Sequence, residues 1–419
     1  MRRRLTGVLL YVMAGVMVVG GMATMTGTSA HARGSEKTSP SSGVRMQWHP
    51  TEGAASIGMK TASLSKVFDD ANRKATYGQR CPGSSRNATT KLSVFWCFQY
   101  GDNVTPDWVP QGVTSDADAV NDENWNGHRG LMVSWYSKDS KGVRVTLLDT
   151  ETKRYRHLLL VKPVENGKDY APIPLHAGGI VWYGEKLYVA DSFYGTRVFD
   201  LKHIYDLVAD PHGDVKNKTA IGRGSGSHKD TFYAAGYRYV IPQEGAWRSE
   251  QKASKTCQDH GPMINSWMSL DRAAKPDRLI IGEYCTKNKE GNPNLLPGRV
   301  AAWTMRDHKL VAQDRWATPD EVLTMPRLNG PGYGSNVQGG ATTDGGGAWF
   351  FNVSHKSADG ELFKYVRFMN GWSYLGTKKT PAGPEDLTFR YRNTKRLLYS
   401  VTEYAGNRVI YARNTYSGW

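Results

Sequence analysis

The chain reads as an all-β protein, most simply a β-propeller of five blades, with six as the competing count. Three observations carry that expectation. Short apolar or aromatic runs are separated by Gly, Asn, Asp and Pro turns; Gly and Trp are abundant, at 45 and 13 of 419 residues; and a Gly-centred repeat returns four times. Short strands at such spacing mark an all-β architecture.

The first 32 residues carry an export signature. Arg2, Arg3 and Arg4 precede an apolar stretch from Val8 to Met25, and Ala30-His31-Ala32 closes it in the small-residue pattern that a signal peptidase accepts. The stretch is nearly long enough to span a bilayer, but its three Gly and its Thr and Ala favour cleavage over anchoring. Residues 1–32 are therefore expected to be a signal peptide, and no later segment is apolar enough to cross a membrane. Residues 33–90 are expected to be a flexible, mostly irregular extension, with one helix around Leu64 to Lys74. The propeller domain is expected over residues 91–419.

Within that domain the strand candidates follow in order: Leu131–Tyr136, Val143–Leu148, Lys186–Ala190, Thr196–Asp200, Leu279–Tyr284, Gly298–Trp303 and Ala348–Asn352. The repeat comprises Pro110–Thr114, His176–Ile180, Val337–Ala341 and Pro384–Thr388, with starts about 66, 161 and 47 residues apart. The wide middle gap holds Tyr237–Ile241, Ser266–Leu270, Leu279–Ile281 and Arg299–Trp303, which the spacing predicts to be four strands of one blade. A lone four-stranded sheet leaves both faces bare, and radial stacking covers them.

Equivalent loops of a propeller converge on one end of its axis. Matching repeat positions thus predict a polar ring of Gln111, His176, Gln338, Glu385 and Asp386, suited to sugar hydroxyls or to a divalent cation in the central channel. The same residues serve equally well as structural caps. Asp191, Glu244, Glu283 and Glu403 join Glu385 and Asp386 as candidates for a carboxylate pair in glycoside hydrolysis, and His228 and His260 are further metal-ligand candidates. Trp125, Trp182, Tyr183, Tyr194, Trp247 and Trp372 are candidate sugar platforms, though most such rings pack in cores.

The net charge of +15 falls to +12 without the three arginines of residues 1–32. Such a charge attracts anionic cell-wall polymers, matrix glycans and lipid headgroups alike. No Lys/Arg run exceeds three residues, which argues against a dedicated nucleic-acid arm. Gly222–Ser227 lacks the Lys of a phosphate loop, and no Gly-x-Ser-x-Gly elbow occurs. Four cysteines without a Cys-x-x-Cys spacing point to two disulfides; proximity favours Cys81–Cys97 and Cys257–Cys285.

The segments Trp108–Thr114, Gly142–Val145, Tyr155–Val161, His176–Gly184, Leu187–Asp191 and Arg197–Leu201 resemble a group of secreted actinobacterial β-propeller-like proteins. The resemblance covers most of the chain after about residue 95. It implies export and the propeller fold, and brings no catalytic residues with it. The sequence thus predicts a secreted propeller that binds a glycan of an envelope or matrix. A glycan hydrolase or lyase, or a metal-dependent lactonase, working from the same axial funnel is the runner-up. An extracellular protein-interaction scaffold is the third reading.

Overall fold

The computed structural model describes residues 42–53, 56–77, 81, 92–285, 296–328, 335–343, 345–369, 371–392 and 395–415; the expected signal peptide and residues 33–41 lie outside them. Among the described residues, strands dominate, and five antiparallel four-stranded meanders follow one another along the chain. The first is Trp108–Ser115, Gly130–Ser137, Val143–Asp149 and Arg154–Val164. The second is Ile180–Tyr183, Lys186–Asp191, Gly195–Asp200 and Tyr239–Ser249. The third is Trp267–Asp271, Arg278–Gly282, Arg299–Arg306 and Glu321–Thr324. Val337–Thr343, Ala348–His355, Ala358–Phe368 and Gly371–Ala382 form the fourth. The fifth is Thr388–Arg392, Lys395–Val401 and Val409–Asn414, and its outer place is taken by Val94–Cys97 from the start of the chain.

Each gap between consecutive sheets holds its own hydrophobic core, and this is what makes the arrangement radial. Val145, Trp182 and Leu187 pack between the first and second sheets. Tyr188, Met268 and Trp303 lie between the second and third, Trp267, Val300 and Phe351 between the third and fourth, and Phe350, Leu387 and Leu398 between the fourth and fifth. Trp96, Trp135 and Tyr399 then join the fifth sheet back to the first. With a neighbour on both faces, a strand is buried along its whole length, and the period of two shows as a choice of neighbour. In Val143–Asp149, Val143, Val145 and Leu147 point toward the second sheet, while Leu148 faces the fifth. The all-β propeller architecture expected from the sequence is therefore present.

Three details depart from expectation. The helix covers only Leu64–Asp69; Ser63 Oγ caps it by accepting from Lys66 N at 3.2 Å, and Arg156 and Arg154 take the carbonyls of Asp70 and Ala71 just beyond its end. The chain then turns into the short strand Arg73–Lys74, which pairs with Arg154–Tyr155. Residues 42–77 are also less irregular than expected, since Met46–Pro50 extends the second sheet at Tyr239–Ser249 and Thr76–Tyr77 extends the fifth. Finally, the strand begun by Tyr239 closes the second sheet rather than opening the third, whose fourth strand is Glu321–Thr324. Residues 201–238 intervene between Asp200 and its partner strand, and that excursion misled the spacing argument. Both expected disulfides, Cys81–Cys97 and Cys257–Cys285, are formed.

Candidate functional site

The repeat marks where the innermost strands crowd the axis. A Cβ on Gly112 would lie 2.9 Å from the nitrogen of Ile180, one on Gly179 would lie 2.1 Å from the nitrogen of Met268, and one on Gly339 would lie 2.6 Å from Asp386 Cα. Glycine is demanded by this approach of backbones. In the fifth sheet Asp386 stands where the first, second and fourth carry Gly112, Gly179 and Gly339. Its Oδ2 accepts from the N–H of Val113 at 3.3 Å and of Ile180 at 3.2 Å. One carboxyl thus ties the first and second sheets to the fifth. Burial pushes this carboxyl well above the usual range, against the pull of those N–H groups.

Counting back from these donors corrects the sequence alignment. Gly178 is level with Gln111 and Glu385, and His176 lies two residues before it; the second copy of the repeat slips by one residue because Gly178 and Gly179 are adjacent. Gln111 sits at a bulge, fully buried, with Nε2 donating to its own Pro110 carbonyl at 2.9 Å. Gln338 occupies the corresponding bulge of the fourth sheet and is half-buried. Glu385 is buried, and its main chain is fixed by Asn352 Nδ2 and Ser400 Oγ, which donate to its carbonyl at 2.8 and 3.2 Å.

At the end of the axis where the inner strands begin, titratable side chains from three sheets gather. Burial, then the charges of Glu403 and Asp386, push the Glu385 carboxyl well above the carboxylate range, and burial raises Glu403 as well. Tyr136, from the first sheet, and Tyr284, from the third, are both raised first by burial and then by Glu385 and Glu403, Tyr284 to about 12. Two phenols on different sheets sense the same two carboxylates, so the four groups lie near one another. Burial and the Glu403 charge push the Tyr404 hydroxyl up, and Lys138 and Arg408 counter part of the Glu403 shift. His176 is exposed and stacks on Tyr136, ring centroids 4.6 Å apart at 24°. Desolvation nevertheless lowers its pKa, as expected for a ring that solvent reaches inside a concavity. The site therefore offers a neutral imidazole, three phenols and two carboxyls biased toward the protonated form.

Of the ring predicted from the repeat, Glu385 and Asp386 lie on the axis, His176 stands beside them, and Gln111 is spent on its own backbone. The alternative carboxylates are mostly engaged elsewhere. Asp191 pairs with Arg197, Glu244 with Lys186, and Glu283 with Arg299, while Glu403 is in the funnel. His260 is exposed beside Asp259, and His228 is exposed on a short turn. Trp182 is fully buried, Trp247 packs on Trp48, and Trp372 packs on Trp349.

Tyr136, Tyr284 and Tyr404 were missed, though a signal existed. Aligned on the axial position, the second strands of the five sheets lead to Tyr136, Ser192, Tyr284, Ser354 and Glu403, each two residues beyond the partner of that position.

A second constellation has the bonding order of a nucleophilic triad. Thr146 Oγ1 lies 2.9 Å from His157 Nδ1, and His157 Nε2 lies 3.0 Å from Asp102 Oδ1. Trp135 Nε1 donates to Thr146 Oγ1, and Tyr155 and Arg144 bond Asp102. Thr146 and His157 are buried, so no substrate reaches the hydroxyl; the network ties the first sheet to the short helix Tyr100–Val104 that carries Asp102. Among the described residues, the one cluster with three metal-capable groups is Cys257, Glu283 and Cys285. Its two sulfurs are joined in a disulfide, and Glu283 is held by Arg299, so it is not a metal centre.

No family model and no curated protein matches the chain. Among solved structures, it is similar to the six-bladed fungal lectin of Aleuria aurantia, described with a fucose recognition mode, at 10% identity and a TM-score of 0.32, over 73% of this chain and 78% of that one. A triple arginine-to-alanine mutant of AofleA from Arthrobotrys oligospora gives 11% and 0.32, over 77% and 73%. A proposed 6-phosphogluconolactonase of Bacteroides uniformis gives 11% and 0.31, over 80% and 94%. Overlays this loose transfer no activity, and the architecture here rests on the strand pairing and the five shared cores.

Proposed function

We propose that the chain is an exported β-propeller that binds a carbohydrate in its axial funnel. The observation that carries this reading is the convergence of Tyr136, His176, Tyr284 and Tyr404 with Glu385 and Glu403 at one end of the axis. Phenol and imidazole rings present faces to the C–H side of a sugar, and the protonated and ionised carboxyls donate to and accept from its hydroxyls. Two disulfides fit an oxidising compartment. The acidic groups favour a neutral sugar in the funnel itself; the basic surface draws the protein to an anionic envelope or matrix in a salt-dependent way.

A glycan and cell-wall array probed with residues 33–419 tests the reading. Binding is expected to at least one neutral glycan, and to fall about tenfold or more on Tyr136→Ala or Glu403→Gln, the loss of roughly 1.4 kcal/mol or more. Absence of binding at low salt overturns it. The raised carboxyls of Glu385 and Glu403 favour a second reading, acid–base cleavage of the bound glycan, in which the protonated group serves as acid. That reading requires release of new sugar ends from the bound glycan, abolished by Glu385→Gln; binding without release excludes it.

A further inference from the structure

The opposite end of the axis carries a second concave region. There the loop after the short helix Asp116–Ala119, the Gly184-Glu185 turn of the second sheet and the Asp307-His308 turn of the third come together. A cavity of about 450 Å³ is lined by Asn124, Trp125, Asn126, Glu185, Asp307 and His308 among others. A neighbouring cavity of about 340 Å³ shares Trp125, Asn126 and Glu185 with it. Both volumes are in the range of small-ligand sites, and Trp125 is the wall common to the two.

This region is built rather than loose. Trp125 leans on the fully buried Trp182, centroids 5.0 Å apart, and its backbone bonds His128 in both directions at 2.9 and 3.0 Å. Asn124 Oδ1 accepts from Gly127 N at 2.6 Å, which fixes the turn between them. The His308 ring packs edge-on against Tyr183 at 4.7 Å and lies over Gly184, where a Cβ would come within 2.6 Å of it. Gly184 also has φ +57°, so the position that seats His308 accepts only glycine without strain. In contrast to these braced frames, the Asn126 amide, the Asp307 carboxylate and the His308 ring nitrogens make no hydrogen bond among the described residues.

An indole held at a fixed angle, flanked by unspent planar amide, carboxylate and imidazole groups, matches a pyranose: an apolar C–H face ringed by hydroxyls that both donate and accept. Charge narrows the class. Lys186 is the cation of the larger cavity and is already paired with Asp200 and Glu244 at 2.8 and 2.7 Å. Glu185 is paired with Lys202 of the smaller cavity at 2.5 Å, and Asp307 would repel an acidic sugar. We propose that the Trp125 groove is a second carbohydrate site, taking two consecutive rings of a neutral oligosaccharide, one on each side of the indole. This site is independent of the funnel.

Cellohexaose and maltohexaose, titrated into residues 33–419 by calorimetry and tryptophan fluorescence, test it. At least one is expected to bind with a change in tryptophan emission, and to weaken about tenfold or more in Trp125→Ala and severalfold in Asp307→Asn. Asp307 is exposed, so that second variant remains informative if Trp125→Ala fails to fold. The funnel variant Tyr136→Ala is expected to leave this binding in place. Silence with both oligosaccharides overturns the proposal, as does binding that neither groove variant weakens. Binding abolished by Tyr136→Ala and untouched by the groove variants overturns the groove while supporting the funnel.

Discussion

Asp386 shows how much one side chain decides in this fold. Three of the five inner strands relieve the crowding at the axis with glycine; the fifth places a carboxyl there, and N–H groups of the first and second sheets close on it. Elsewhere two buried groups titrate in opposite senses. Burial, then the Arg144 charge, push His157 down to about 3. Its imidazole is therefore neutral in the native state and is protonated on unfolding below about 6.5, so native stability falls as the pH drops through that window. Burial pushes Asp118 up to about 6 against the hydroxyls of Thr114 and Thr388, which donate to it at 2.7 and 2.8 Å. The native state holds that proton while the unfolded chain releases it near 3.9, so stability falls as the pH rises from about 4 through 6. The two slopes oppose each other in the wild type. Asp118→Asn should therefore unmask the His157 term: its melting temperature, followed from pH 4 to pH 6.5, should climb more steeply than that of the wild type. Parallel profiles would contradict this assignment.

At the scale of the element, the repeated glycines and the ends of the second strands do different work. Gly179→Ala drives a methyl group into the backbone of the third sheet's inner strand, and a loss of about 3 kcal/mol or more is expected because neither backbone yields cheaply. Gly101→Ala, on an exposed turn of helix with nothing within 4 Å, should change stability by less than about 1 kcal/mol. Urea unfolding of the two variants side by side separates crowding at the axis from glycine loss in general. The glycine repeat was legible in the sequence because steric exclusion leaves a residue signature, and so were Glu385 and Asp386. Its register at His176 was not, since Gly178-Gly179 permits two alignments and only the hydrogen bonds to Asp386 choose between them. The funnel wall at Tyr136, Tyr284 and Glu403 recurs at a fixed distance beyond the axial position, but the residue types differ from sheet to sheet, which hides the recurrence.

On the scale of the whole molecule, the ring is completed by pairing residues far apart in sequence. Val94–Cys97 becomes the outer strand of the fifth sheet, and Cys97 is bonded to Cys81. No local pattern announces this, because a closing strand has its partner at the other end of the chain; the five cores between sheets were likewise visible only as a general excess of aromatics. A disulfide spanning 16 residues constrains the unfolded chain, and its loss is expected to cost about 3 kcal/mol. Cys81→Ser/Cys97→Ser should lower the denaturation midpoint accordingly while keeping a single cooperative transition, since Trp96 and Phe98 still anchor the strand. An unchanged midpoint would show that the pairing of the terminal strand carries closure alone.

The short helix Asp116–Ala119 has all four residues buried and packs on the inner strands of the first, second and fifth sheets at the far end of the axis. With Asp386 bridging the middle, the bore is stoppered. On the proposed carbohydrate reading, a long polymer has no exit there, so the mouth would take a terminus or a branch, entering and leaving by the same door.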